Sequence, residues 1–284
     1  MTNNPINRLF LVGCPRSGTT LLQSLLAAHS EIISFPESHL FQTLWIRRWS
    51  RLFGLAAPKG KKQLYSFLQT IDQEHLQHML PRNALFMSQY GAVLQTALDQ
   101  ATQSQGKRIW LEKSPEHVRY IRYIEASVQD AQFIHIIRNG PDVVASLYDV
   151  TRKHQQANSW GHEPWELDKC IRHWVRSVQL GCPHLRKPNH FLVRYEQLVE
   201  NPETILRQLC EFIGVNFERT MLQDYGQVAQ TVTRTDEAWK AAVGQPINNA
   251  NSTKFYQLFN PEQQQYILNK LSIINLDKLM LKLG

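Results

Sequence analysis

Short apolar runs and amphipathic stretches alternate along most of the chain. Leu9-Phe10-Leu11-Val12, Glu31 to Phe35, Arg108 to Leu111, Gln132 to Ile137 and His190 to Glu196 are of strand length, and each leads through a few turn residues into helical spacing. Runs this uniformly apolar suit strands covered on both faces, and strand–helix alternation joins neighbouring strands by crossovers. The pattern predicts an α/β fold with a central, mostly parallel sheet flanked by helices in three layers. In such sheets the ligand crevice lies at the carboxyl ends of the strands.

Between these units, residues from about 40 to 105 are helical in pattern, broken at Gly54 to Gly60 and at Pro81. They form either an insertion that shapes a substrate pocket, with Trp45, Trp49, Tyr65, Phe67 and Phe86 as candidate lining, or a helical cover over one sheet face. Pro115 is expected to open a helix running to about Ser127, and Pro164-Trp165 one that carries Trp174 and Val178 into the core. The helix from Pro202 ends at Gly214. The polar stretch from Gln155 to Glu163 reads as a mobile loop over the site or as a plain connection. Gln227 to Thr253 reads as irregular, and two short helices with Leu258, Tyr266, Leu268, Leu271, Leu279 and Leu283 close the fold. The expectation is one domain over residues 1–284.

Charge narrows the partners. The 284 residues carry 31 Lys and Arg against 24 Asp and Glu, a formal +7, which suits an anionic ligand. The excess is dispersed in small groups such as Arg47-Arg48 and Lys61-Lys62, so no basic stripe points to nucleic acid. The four cysteines, Cys14, Cys170, Cys182 and Cys210, lie far apart without metal-ligand spacing, so reduced thiols and no metal are expected. The polar amino terminus and the lack of a long apolar run predict a cytoplasmic protein with no membrane span.

Chemistry concentrates at the strand-to-helix junctions. Gly13-Cys14-Pro15-Arg16-Ser17-Gly18-Thr19-Thr20 has the spacing of a phosphate-binding P-loop, in which loop amides and a helix start converge on an anion. Thr19 stands where a nucleoside triphosphatase carries lysine, so the loop suits a ligand with fewer phosphates on its 5′ side. Taken alone, the stretch also reads as an ordinary turn. A second junction, Arg138-Asn139-Gly140-Pro141-Asp142, opens a helix bearing Ser146; Arg138 can fork onto a phosphate and Ser146 can donate a hydroxyl to it. Glu37 and Lys113 follow the second and third strands at the same pole, as catalysts or as a helix-end carboxylate and a solvated cation. His135 reads as a core histidine, and His39 as a weaker alternative to Glu37 for a base.

These stretches resemble the sulfotransferases that use 3′-phosphoadenosine 5′-phosphosulfate (PAPS), a P-loop family. Pro15 to Thr20 is similar to the 5′-phosphosulfate loop and Arg138 to Ser146 to the 3′-phosphate motif. Glu112-Lys113-Ser114-Pro115 and Val193 to Val199 with Asn201-Pro202-Glu203 also recur there. The resemblance covers residues 8 to about 217 and is nearest to the tyrosylprotein and bacterial branch, which likewise has arginine in the loop and a glutamate after the second strand. It implies that Pro15, Arg16, Ser17, Gly18, Thr19 and Thr20 hold the 5′-phosphosulfate, that Arg138 and Ser146 hold the 3′-phosphate, and that Tyr195 lies near the nucleotide. It further implies Glu37 as general base, Arg16 and Lys113 as charge-neutralising catalysts, and 3′-phosphoadenosine 5′-phosphate (PAP) as product. The acceptor would be a hydroxyl on a sugar, lipid, metabolite or peptide tyrosine. Thr231, Thr233, Lys240 and Gln245 lie where relatives complete the nucleotide site but have no clear counterpart. The alternatives are a P-loop nucleotide kinase or nucleotidase, which lacks its lysine and its magnesium-binding aspartate here, and a nucleotide-binding regulatory protein.

Overall fold

Asn7–Gly13 (β1), Ile32–Phe35 (β2), Ile109–Lys113 (β3), Ala131–Ile137 (β4) and His190–Arg194 (β5) pair in parallel in the spatial order β2-β3-β1-β4-β5. The computed structural model describes residues 5–44, 53–153, 163–232 and 253–276. After β1 the chain moves toward one edge of the sheet, and it later reaches β4 and β5 on the other side. The direction therefore reverses beside β1, which places the ligand crevice at the carboxyl end of the strand that carries the loop.

α1 (Thr19–Ala27) joins β1 to β2, and α2 (Leu40–Thr43), α3 (Lys59–Thr70) and α4 (Met87–Ser104) lie between β2 and β3. Pro115 opens a 3₁₀ turn to Arg119, and α5 (Ile121–Glu125) then leads toward β4. The single helix expected there is divided at Tyr120, whose φ of −124 is far from helical. α6 (Gly140–Lys153) and α7 (Leu167–Gly181) connect β4 to β5. Next come α8 (Tyr195–Glu200), α9 (Pro202–Ile213), α10 (Thr220–Gln223) and α11 (Tyr225–Val232), then α12 (Lys254–Leu258) and α13 (Pro261–Leu271).

The strands alternate between two cores. Phe10, Val12, Trp110 and Phe133 face a layer built from α2, α3 and α4, including Leu64, Phe67, Leu94 and Leu98. Leu9, Leu11, Ile109, Leu111, Ile134 and Ile136 face α1 and α9 through Leu22, Leu25, Leu206 and Leu209. The described parts of the stretch from 40 to 105 thus cover one sheet face. Phe67 is core, Tyr65 packs at its edge and Phe86 is exposed, while Trp45 and Trp49 lie outside the described residues. A third core joins Ile137, Trp174 and Val178 to Phe255, Phe259, Ile267 and Leu271.

Three boundaries shift from the sequence pattern. Tyr195 and Glu196 open α8 and do not extend β5. Gln227 to Val232 belongs to a helix. In the closing helices Leu258, Tyr266 and Leu268 face outward, and Phe255, Phe259, Ile267 and Leu271 supply the contacts. Leu279 and Leu283, the tail positions 233–252 and the polar stretch 155–162 lie outside the described residues. Among those described, no helix is long and apolar enough to cross a membrane, and the four cysteines are free.

Candidate active site

The loop after β1 is shaped by close approaches. A Cβ on Gly13 would lie 2.4 Å from the Ile136 carbonyl oxygen, and one on Gly18 would lie 2.3 Å from the Tyr195 ring. Gly18, at φ 92, precedes α1 without offering a side-chain cap, and no acidic residue occupies the first turn. The first amides of α1 are therefore left for an external anion. Ser17 Oγ is buried and finds no hydrogen-bond partner among the described residues, a cost that a bound oxyanion would remove. Thr19 and Thr20 are buried in that first turn. Arg16 has φ 72, an uncommon conformation for a side-chain-bearing residue and one typical of ligand loops.

The second junction meets the first. Arg16 Nε donates to Ser146 Oγ at 3.1 Å. Arg138, only 3% exposed, donates through Nη2 to Asp142 Oδ2 at 3.0 Å, and its guanidinium carbon lies 4.3 Å from the centre of the Tyr195 ring. Its Nε is buried without a partner among the described residues. Burial and the neighbouring Arg138 charge draw the Arg16 guanidinium down to about 10. Two cations that feel each other's charge, one buried and one half-buried, form a cradle whose charge an anion would balance. Asp149 accepts from Lys153 at 3.0 Å and Lys254 at 2.9 Å, which brings the start of α12 back to this side of the site. Asn139 fixes the junction: its side chain donates to Asp142 Oδ2 at 2.9 Å and its backbone N–H to Glu196 Oε1 at 2.8 Å.

Beside the loop, the Lys113 ammonium donates to Glu37. Lys113 is 1% exposed because it is still the last residue of β3, which runs two residues further than the pattern predicts. His39 Nε2 stands 3.5 Å from the other Glu37 oxygen; burial holds the imidazole below its usual range, with the Glu37 charge opposing. Behind this pair sits Glu112, fully buried. Its Oε1 accepts from Ser38 N at 3.1 Å, Ser38 Oγ at 2.7 Å and Ser114 Oγ at 2.6 Å, and its Oε2 faces His117 Nδ1 at 3.1 Å. Burial raises the Glu112 carboxyl, yet the charge and hydrogen bond of His117 and the bonds from Ser114 and Ser38 outweigh it and bring it to about 2.

The structure thus groups the residues picked from sequence into two neighbouring sets. Pro15 to Thr20, Arg138, Ser146 and Tyr195 form one, and Glu37 and Lys113 the other. Arg16, expected both in the phosphate loop and as a catalyst with Lys113, stands in the loop and donates to Ser146. Glu112, Asp142, Asn139 and Glu196 were not singled out as site residues, although three of them adjoin chosen positions. His135 is buried as expected, with Nε2 2.8 Å from His190 Nδ1.

Residues 8–219 match the model of the Sulfotransferase family. Protein-tyrosine sulfotransferase A of Caenorhabditis elegans is 23% identical over 255 residues, covering 84% of this chain. The chain spans 58% of that relative's length. Among solved structures, the sulfotransferase domain of the Synechococcus PCC 7002 olefin synthase matches with a TM-score of 0.62 at 21% identity, covering 95% of each chain. The mouse sulfotransferase SULT7A1, complexed with PAP, matches with a TM-score of 0.53 at 13% identity, covering 93% of this chain and 82% of that one. These two are likenesses of fold.

Proposed function

Since the chain belongs to the sulfotransferase family, we propose that it transfers a sulfuryl group from PAPS to an acceptor hydroxyl, on one domain whose loop after β1 holds the donor. The observation that carries this reading is the meeting of two anion cradles. The uncapped start of α1, with a Ser17 hydroxyl that has no partner among the described residues, lies next to half-buried Arg16 and buried Arg138, joined by the Arg16–Ser146 bond. A nucleotide bearing phosphates at both 3′ and 5′ positions would satisfy both, with Arg138 and Ser146 on the 3′-phosphate and Ser17 to Thr20 on the 5′ side. Tyr195, packed on Gly18 and under Arg138, backs the loop.

The donor supplies a sulfuryl group on a good leaving phosphate, and the chain's residues supply the proton acceptor and the charge. Glu37 takes the proton of the acceptor hydroxyl as its oxygen bonds to sulfur on the face opposite the leaving oxygen. Lys113 and Arg16 balance the charge that gathers on the 5′-phosphate as the sulfur–oxygen bond breaks. Lys113 already donates to Glu37, so the carboxylate is oriented before the acceptor arrives. The cover formed by α2, α3 and α4 borders Glu37 and belongs to the acceptor side.

Calorimetry and thermal melting test the donor reading. PAP is expected to bind and stabilise the protein while ATP with Mg²⁺ does not; stabilisation by ATP with Mg²⁺ alone refutes it and favours the kinase. Glu37→Gln is expected to abolish turnover of labelled PAPS in a screen of hydroxyl acceptors while PAP affinity is kept. An active Glu37→Gln enzyme removes the base assignment and leaves the donor site standing.

A further inference from the structure

At the opposite pole of the sheet, where the strands begin, three side chains from separate elements converge. Glu125 ends α5, His184 closes a 3₁₀ turn after α7, and His190 is the first residue of β5. One ligand-capable atom from each lies within 4.8 Å of the others. His190 Nε2 is 3.1 Å from Glu125 Oε1, and the His184 ring stacks on that of His190 with centroids 5.5 Å apart. His184 Nδ1 is buried and has no hydrogen-bond partner among the described residues.

We propose that Glu125, His184 and His190 form a site for one divalent transition-metal ion, with zinc as the representative ligand. Two imidazoles and a carboxylate make a donor set that suits zinc, cobalt or nickel and disfavours magnesium and calcium. The surroundings resemble the support that metal-binding histidines require. His190 Nδ1 is held by His135 Nε2 at 2.8 Å, which turns Nε2 toward Glu125 and fixes the ring. When Nε2 gives its lone pair to the metal, its proton passes to Nδ1, and His135 moves its own to the far nitrogen; the two rings stay neutral.

A cation already occupies part of this position. Lys187 Nζ lies 2.7 Å from both Glu125 oxygens, but its side chain is 41% exposed. Such an ion pair is weak and the lysine stem is flexible, so the ammonium swings into water when a metal enters. Coordination bonds of about 2.0–2.2 Å draw the three ligands closer together than they stand here, within reach of side-chain rotations. The bound ion ties α5, the turn after α7 and the start of β5 into one unit, at the end of β5 opposite the one that leads to Tyr195. The sequence contains no motif for this site because its ligands lie on three elements without regular spacing.

The test is zinc titration by calorimetry on protein first stripped with chelator, with cobalt as a spectroscopic probe and magnesium as control. The expected result is one equivalent of zinc, a cobalt visible spectrum of four-coordinate intensity, a higher melting temperature and no response to magnesium. His184→Ala is expected to weaken zinc by about a hundredfold or more; Lys187→Met should tighten it, and Glu37→Gln should leave it unchanged. If His184→Ala does not fold by circular dichroism, Glu125→Gln takes its place. Absence of saturable binding, or full binding in a folded His184→Ala or Glu125→Gln variant, overturns the proposal.

Discussion

Replacing Glu112 by Gln isolates a single buried charge. The amide oxygen can still accept from Ser38 and Ser114, and the amide nitrogen can donate to His117, so shape and hydrogen-bond count are nearly kept. What disappears is a carboxylate held at about 2 against an ordinary value of 4.5. That difference corresponds to about 3 kcal/mol of native-state stability at neutral pH. Because the folded value is depressed, the contribution is complete above pH 4.5 and fades as pH falls toward 2. Glu112→Gln is therefore expected to melt about 5–10 °C lower than the parent at pH 7. The gap should narrow steadily between pH 4.5 and the lowest pH at which both remain folded. Calorimetric melting of the two proteins across pH 7 to 3 measures it. Equal melting at pH 7, or a gap that does not change with acidification, would refute the assignment of an ionised, tightly held carboxylate behind the Glu37–Lys113 pair.

The remaining predictions concern the nucleotide side. Gly18→Ala places a Cβ 2.3 Å from the Tyr195 ring at a φ of 92, so a loss of about 1–3 kcal/mol in urea unfolding and weaker PAP binding are expected. Arg138→Lys keeps the charge but loses the fork that spans Asp142 and the Tyr195 ring. PAP affinity should fall by about tenfold or more while affinity for adenosine 5′-phosphosulfate, which lacks the 3′-phosphate, stays close to that of the parent; equal losses for both ligands would argue against a 3′-phosphate role. Arg16→Ala is expected to weaken PAP binding as well as slow transfer, because Arg16 reaches Ser146. Unchanged PAP affinity in calorimetry would return Arg16 to a purely catalytic role.

Much of this architecture is legible because phosphate cradles constrain residue type locally. Gly13 and Gly18 stand where a side chain would strike Ile136 or Tyr195, and Cys14 and Ser17 between them are small as well. The uninterrupted apolar strands follow from a sheet covered on both faces. What could not be read depends on partners distant in the chain. Glu112 looks like one more charge beside Lys113 until Ser38, 74 positions away, is brought to it. The turn of Arg16 toward Ser146 is likewise a long-range contact. Tyr195 continues a run with strand propensity, yet its ring is drawn onto Gly18, and β5 stops one residue earlier. In the closing helices the apolar residues outnumber the positions that face the core, so periodicity alone did not select Phe255 and Ile267 over Leu258 and Leu268.

The seat of Tyr195 against Gly18 also bears on when the protein becomes competent during synthesis. The loop is made among the first twenty residues, but the ring that backs it enters only after β5. A growing chain that has emerged only through α7 holds the whole loop sequence, Arg138 and Ser146, but not yet the Tyr195 ring that packs on Gly18 and lies under Arg138. If the loop holds the nucleotide as proposed, its backing arrives only with β5, and a chain ending at α7 is expected to bind PAP less tightly than the full protein.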